Sequence, residues 1–152
     1  MPNDLSHLDE HGRAQMVDVS HKPPMKRTAT AEGLLRAERE TLDRLFRGDL
    51  PKGEALAVAR IAGIQAAKQC DRLIPLCHTL PLDVVTIDFE RTAEEHLKVR
   101  ATAQTTAKTG VEMEALLAAS TALLTVWDMV KAIDTGLLIE QVHLVEKRKE
   151  QL

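Results

Sequence analysis

The chain has 152 residues, 44% of them hydrophobic and 28% charged, with a formal net charge of −3. That length and balance fit one soluble domain around a single core, and the absence of a basic block leaves out a nucleic-acid footprint. The longest uncharged run, Ala115 to Trp127, is short for a membrane span and contains hydroxyls, so no membrane partner is expected.

Residues 1–15 are polar, have no usable periodicity and lack the apolar core of a secretory signal. They read as a mobile N-terminal arm of a cytoplasmic protein. Met16–Ser20 alternates apolar and polar residues, which predicts a short strand. His21-Lys22-Pro23-Pro24 interrupts it, and Lys26–Glu32 resumes as an extended segment. By spacing alone, Lys26 and Arg27 belong to a solvated stretch. Leu35, Leu42, Leu45 and Phe46 recur at helical spacing, predicting a helix over Leu34–Phe46, closed by Gly48 and stopped by Pro51. Lys52-Gly53 then opens a second helix, Glu54 to Gln69. Its alanines and Gly63 permit close approach of another backbone. A lysine beside a helix entrance suits an anion, because free backbone N–H groups point there. The phosphate-binding Gly-x4-Gly-Lys-Ser/Thr pattern is absent.

Asp71–Pro81 reads as a loop. Two cysteines, Cys70 and Cys77, are expected as free thiols. Cys70-x6-Cys77 lacks the paired spacing of zinc sites, so no metal is expected. Cys77 can pack as a small hydrophobe, and His78 can cap a turn or act as donor and proton carrier. Val84–Glu90 and Leu97–Gln104 alternate apolar and polar residues around a polar turn, the pattern of a hairpin.

A long helix follows, with Thr109 and Glu112 at capping-box spacing. From Ala115 to Val126 it is uncharged, so it should be buried under a sheet or a second subunit. Lys108, Glu112 and Glu114 lie at one end, Asp128 and Lys131 at the other. Asp128 and Lys131, at i and i+3, can be a surface ion pair or a paired acid and base. Leu137–Val145 supplies a last strand and Glu146–Leu152 a charged, frayed tail, leaving 16–145 as a single domain. The order strand, helix pair, strand, strand, helix, strand predicts an α+β fold. It is ferredoxin-like βαββαβ with an additional helix, an antiparallel sheet covered by helices.

Such folds serve many functions. An RNA-binding module needs stacking aromatics on its sheet, and the whole chain holds only Phe46, Phe89 and Trp127. A small-molecule regulatory domain is the remaining non-enzymatic alternative. It would need no Asp128/Lys131 pair and would leave its ligand unchanged.

Longer motifs carry more. Lys108-Thr109-Gly110-Val111-Glu112-Met113-Glu114-Ala115, Asp128-Met129-Val130-Lys131-Ala132, Met16–Ser20, Ala59–Lys68 and Leu73-Ile74-Pro75-Leu76-Cys77-His78 resemble the cyclic pyranopterin monophosphate synthases, the molybdenum-cofactor biosynthesis protein C family. They stand in the family's order from Met16 to Leu144. The resemblance implies a cytoplasmic lyase acting on 3′,8-cyclo-7,8-dihydroguanosine 5′-triphosphate, a cyclised GTP-derived nucleotide. Its products would be cyclic pyranopterin monophosphate and diphosphate. It implies Asp128, Lys131 and Lys52 as catalytic groups, and Arg27, Leu76, Cys77, His78, Met113 and Glu114 as substrate-binding groups, with Lys108 and Glu112 as further candidates. No cofactor is required by it, with Mg2+ accompanying the triphosphate left open. It also implies a homohexamer, a trimer of dimers with sites at the dimer interface. Ala107, Thr79 and Trp127 depart from the family's usual Gly, Pro and Tyr.

Overall fold

The computed structural model describes residues 6–152. Its elements are β1 (Met25–Arg36), α1 (Arg39–Arg47), α2 (Ala55–Lys68), α3 (Cys70–Leu73), β2 (Leu82–Ala93), β3 (His96–Ala107), α4 (Glu112–Val130) and β4 (Leu138–Glu150). The strands form one antiparallel sheet in the order β2-β3-β1-β4. With the helical segment between β1 and β2 split in three, this is the expected ferredoxin-like α+β arrangement.

Alternation decides which face of the sheet is covered. Ala29, Ala31 and Leu35 on β1 and Leu97, Val99, Ala101 and Ala103 on β3 are all fully buried, opposite each other in register. Apart from Gly33 and Leu34, the intervening residues are hydroxylic or charged. Thr30 and Thr102 share a hydrogen bond of 2.8 Å, and Glu32 meets Lys98 and Arg100.

On the apolar face lies α4, whose Ala115, Ala118, Ala119, Ala122, Leu123 and Val126 have no exposed surface. It is 19 residues long and apolar enough, by length and composition alone, to cross a membrane. The short uncharged run understated this, and the apolarity is accounted for by burial between the sheet and α2. The α2–α4 contact is made of small residues. At Gly63 an added Cβ would stand 2.9 Å from the carbonyl oxygen of Ala118. The two helices run antiparallel, since Lys52 before α2 meets Asp128 late in α4, while Cys77 beyond α2 meets Glu114 early in α4.

Four local expectations need correction. Met16–Ser20 forms no strand; its alternation instead lets Val17 and Val19 turn partly inward along an extended strap. Leu34 and Leu35 belong to β1, where Leu35 is fully buried opposite Leu97 and Ile139. The first helix therefore begins only at Arg39 and is driven by Leu42 and Leu45, ending as expected at Gly48 with φ 72°. No capping box forms at α4: the helix begins at Glu112 with Val111 at the N-cap position and no side-chain cap. Glu112 reaches Lys147 of β4 instead, at 3.0 Å. Finally, β4 runs on to Glu150, paired with Lys26, through most of the segment expected to fray. Residues 1–5 of the expected arm lie outside the described residues. Within the rest, Asp9 accepts hydrogen bonds from the backbone of His11 and Arg13 and closes a turn.

Candidate functional site

The last turn of α4 and the loop before α2 bring three charged groups together. Lys131 Nζ lies 2.8 Å from Asp128 Oδ1, and Lys52 Nζ lies 3.2 Å from Asp128 Oδ2. Lys52 also donates to the Asp128 carbonyl at 3.0 Å. Gly53, at φ 97°, makes the turn that carries the chain from Lys52 into α2. Two ammonium groups thus sit on opposite oxygens of one carboxylate. Hydrogen bonds from Lys131 and then Lys52 hold the Asp128 carboxyl below the ordinary carboxylate range. Chemically, the trio offers an ionised base flanked by two proton donors, in a form that also attracts phosphate. Within one chain Lys131 is not buried, since its side chain is 58% exposed. The last turn projects beyond the core, leaving this charge to solvent.

A second group gathers at the other end of α4. Glu114 is 3% exposed. Its Oε2 accepts a hydrogen bond from Cys77 Sγ at 3.7 Å, while Oε1 has no partner among the described residues. Cys70, which opens α3, lies 3.9 Å from Cys77, sulfur to sulfur. Burial pushes the Glu114 carboxyl above its ordinary range, the Cys77 hydrogen bond opposing it. Burial, followed by the charge of Glu114, pushes both thiols up. Met113 is partly exposed beside this group, at 39%, and Leu76 is half-buried.

Next to it, a cavity of about 300 Å³ opens between the Met16–Pro24 strap, the His78–Pro81 loop and the end of β3. His78, Lys108 and Thr109 line it, with Val19 and Pro24 as its apolar wall. The strap is tied down by its backbone. Val17 O lies 2.7 Å from His78 Nε2, and Lys108 Nζ donates to Ser20 O at 3.3 Å. Arg27, on β1, donates to the carbonyls of Ala107 and Lys108. That fixes the loop carrying the cavity's lysine. Thr79, one of the departures from the family pattern, donates to Asp71 at 2.7 Å and braces the same loop.

The predicted site residues therefore form two groups rather than one. Lys52, Asp128 and Lys131 stand at one end of α4, and Arg27, Leu76, Cys77, His78, Lys108, Glu112, Met113 and Glu114 stand at the other. The fourteen residues from Glu114 to Asp128 rise about 21 Å along an ideal helix. Lys52 is thus not beside Arg27 and His78 within one chain. Sequence reasoning missed Cys70 as a neighbour of Cys77 and Glu114, because no periodicity marks a contact between α3 and α4. It also missed Asp134. That residue is 2% exposed and accepts from Glu38 N at 2.8 Å and Thr41 Oγ1 at 2.9 Å. It caps α1 from a distance and anchors the segment that follows Lys131. Arg60 is a structural group: it donates to Ile87 O at 2.9 Å and lies over Phe89.

The chain is similar in sequence to known proteins over nearly its whole length. The cyclic pyranopterin monophosphate synthase of Novosphingobium aromaticivorans is 53% identical over 146 residues, 96% of this chain and 92% of that protein. The protein of the same name from Limosilactobacillus fermentum is 51% identical over 147 residues, 97% of this chain and 89% of its own length. That of Herpetosiphon aurantiacus is 53% identical over 144 residues, 94% and 88% respectively. The MoaC family matches residues 16–150, the strap, both charged groups and all four strands included. On that match and those identities, the chain belongs to the MoaC family.

Proposed function

We propose that the chain has the activity for which its relatives are named: it is a cyclic pyranopterin monophosphate synthase, a lyase of molybdenum-cofactor biosynthesis. Its substrate is 3′,8-cyclo-7,8-dihydroguanosine 5′-triphosphate, and diphosphate leaves. Making a cyclic monophosphate in this way needs a substrate oxygen to attack the α-phosphorus. Something must take the proton of that oxygen, and cations must hold the departing diphosphate. Rebuilding the purine-derived ring as a pterin needs further proton transfers to and from nitrogen and carbon.

The observation that carries the reading is the carboxylate of Asp128 held between Lys52 and Lys131. Asp128 and Lys131 act as base and acid, and Lys52 steadies the carboxylate and polarises the phosphates. Arg27 and Lys108 give the cavity end its positive character, and His78, Leu76, Cys77, Met113 and Glu114 position the nucleotide, with Glu112 at its margin. No cofactor is needed for these steps, and Mg2+ would enter only as counter-ion of the triphosphate.

The distance between the groups favours a site shared by two copies. Antiparallel pairing about a two-fold axis would bring Glu114 of one copy to Asp128 of the other. Val58 and Ile61 on α2 and Met113 and Leu124 on α4 are exposed large hydrophobics that such a contact would cover. A homohexamer built as a trimer of dimers, in the cytoplasm, belongs to the same reading. The direct test is incubation with the cyclised nucleotide, following pterin and diphosphate together. Their joint appearance in equal amounts supports the assignment. An unchanged nucleotide recovered from a folded, oligomeric preparation would refute it and return the domain to a regulatory, binding-only role.

A further inference from the structure

The junction of α3, the loop after it and the start of α4 holds a group of side chains that proton transfer does not explain. One donor atom from each of Cys70, Cys77 and Glu114 lies within 4.8 Å of the other two. The sulfurs are 3.9 Å apart, and Cys77 Sγ is 3.7 Å from Glu114 Oε2. Glu114 is 3% exposed, its second oxygen is unpartnered, and among the described residues it forms no ion pair. A buried carboxylate whose one side-chain partner among the described residues is a thiol at 3.7 Å is costly for a fold, and a cation on its Oε2, beside that thiol, would offset the cost for the group as a whole.

The dimensions point to a particular kind of ion. A tetrahedral zinc about 2.3 Å from two thiolates and about 2.1 Å from a carboxylate oxygen separates the sulfurs by about 3.8 Å, and sulfur from oxygen by about 3.6 Å. The two measured edges, 3.9 Å and 3.7 Å, fit that tetrahedron. Two sulfurs and one carboxylate favour a thiophilic or borderline cation over Mg2+ or Ca2+, which take oxygen ligands.

We propose that Cys70, Cys77 and Glu114 form a site for one thiophilic divalent cation of the Zn2+ type, with three protein donors and one open position. Cys77 is half-buried, whereas Cys70 is 2% exposed, so the ion enters on the Cys77 side. Binding expels the two thiol protons to solvent, together with any proton on Glu114, and leaves two thiolates and a carboxylate around the metal. The wide spacing of the donors in sequence explains why no zinc signature is visible there. Two ligands bracket a short loop, and the third comes from a different helix. Cys77 and Glu114 also belong to the proposed nucleotide site, but Cys70 does not and the measurement needs no nucleotide, so failure of the metal site and failure of the catalytic reading are distinguishable.

The test is a titration of the full chain, reduced and stripped of metal with a chelator that is then removed, using Co2+ as the spectroscopic probe. One equivalent should produce the intense visible bands of tetrahedral Co2+ and a near-ultraviolet sulfur-to-cobalt charge-transfer band, both discharged by Zn2+. Cys70→Ala should abolish the charge-transfer intensity of one sulfur and weaken Zn2+ by about a hundredfold or more, since even outer-shell changes cost 10–100-fold. Cys70→Ser is the second variant, and thermal unfolding in chelator selects whichever folds like wild type. Only the weak bands of octahedral Co2+ in the wild-type chain, or Zn2+ affinity unchanged in a folded Cys70 variant, would overturn the proposal.

Discussion

Replacing Gly63 by alanine tests the helix contact on which the charged trio depends. The new Cβ would stand 2.9 Å from the Ala118 carbonyl oxygen and 3.4 Å from Ala122 Cβ, and it would overlap Ile87 Cδ1. The isoleucine methyl can move aside, but the carbonyl belongs to the backbone of a buried helix and cannot retreat alone. Overpacking of this kind costs about 1–3 kcal/mol, and the unyielding carbonyl places Gly63→Ala in the upper half of that range. Against it stands the helix-forming advantage of alanine over glycine, about 1 kcal/mol. The net expectation is a loss of about 1–2 kcal/mol, which for a chain of this size lowers Tm by about 2–8 °C. Urea unfolding at matched protein concentration measures it, since any oligomer makes stability concentration-dependent. Adding Ile87→Val should recover part of the loss, leaving the share due to Ala118. Turnover should fall as well, even at temperatures where the variant is fully folded. Pushing α2 from α4 lengthens the 3.2 Å contact between Lys52 and Asp128. A Gly63→Ala protein as stable as wild type would refute the argument that this contact is backbone-limited.

Lys131→Ala and Asp128→Asn should stay folded, because both side chains are more than half exposed, yet lose most turnover; near-wild-type product formation by either would reduce the pair to a surface ion pair. Lys52→Ala should weaken nucleotide and diphosphate together, and unchanged inhibition by diphosphate would remove Lys52 from the phosphate site. Glu114 makes stability depend on pH in a defined direction. Burial raises its carboxyl pKa in the folded state, so below the unfolded-state value both states are protonated and nothing is lost. As pH rises from there to the folded value, the unfolded chain ionises first and stability falls, by about 1.4 kcal/mol per pH unit, then levels off. Glu114→Gln in chelator should remove that slope, and a difference from wild type that stays flat with pH would contradict the burial argument. Finally, folded Glu114→Ala and Asp128→Ala subunits, each nearly inactive, should regain up to roughly a quarter of wild-type activity once their chains exchange, because a mixed dimer keeps one intact site. Verified exchange with no recovery would sink the shared site.

Periodicity made most of the fold legible. The hairpin of β2 and β3 and the burial of α4 follow from which positions are apolar, and both are where the pattern put them. What periodicity could not do was separate a strand from a helix over Leu34-Leu35, since two adjacent leucines satisfy either period. The strap at Met16–Ser20 shows the opposite failure. Its alternation is genuine, but with no neighbouring edge to pair with it packs across the site by single contacts, such as Val17 O to His78. Glu112 was misassigned because spacing reports which partner is near in sequence, whereas Lys147 comes from a strand 35 residues away. The motif residues were legible as a set, but not their division into two groups, which only the length of α4 reveals.

That division has a physical cause. A helix covered by a sheet and a second helix cannot carry ionised side chains along its middle, where each would be desolvated without a partner. Its titratable groups are therefore confined to its two ends, Glu112 and Glu114 at one and Asp128 at the other, with about 21 Å of apolar rod between Glu114 and Asp128. The antiparallel α2 completes each end separately, bringing Lys52 to Asp128 and the Cys70–Cys77 loop to Glu114. On the shared-site reading, a single chain so built would hold two half-sites with no way to join them without breaking its own core. An antiparallel contact between the exposed flanks of two such helix pairs removes the difficulty: each two-fold contact places an end of one kind against an end of the other, and it does so twice. The same contact would take the Lys131 ammonium out of solvent and hold it against the Asp128 carboxylate, the donor position that its role as acid requires. Assembly and acid–base competence would then have one cause, the apolar length of α4.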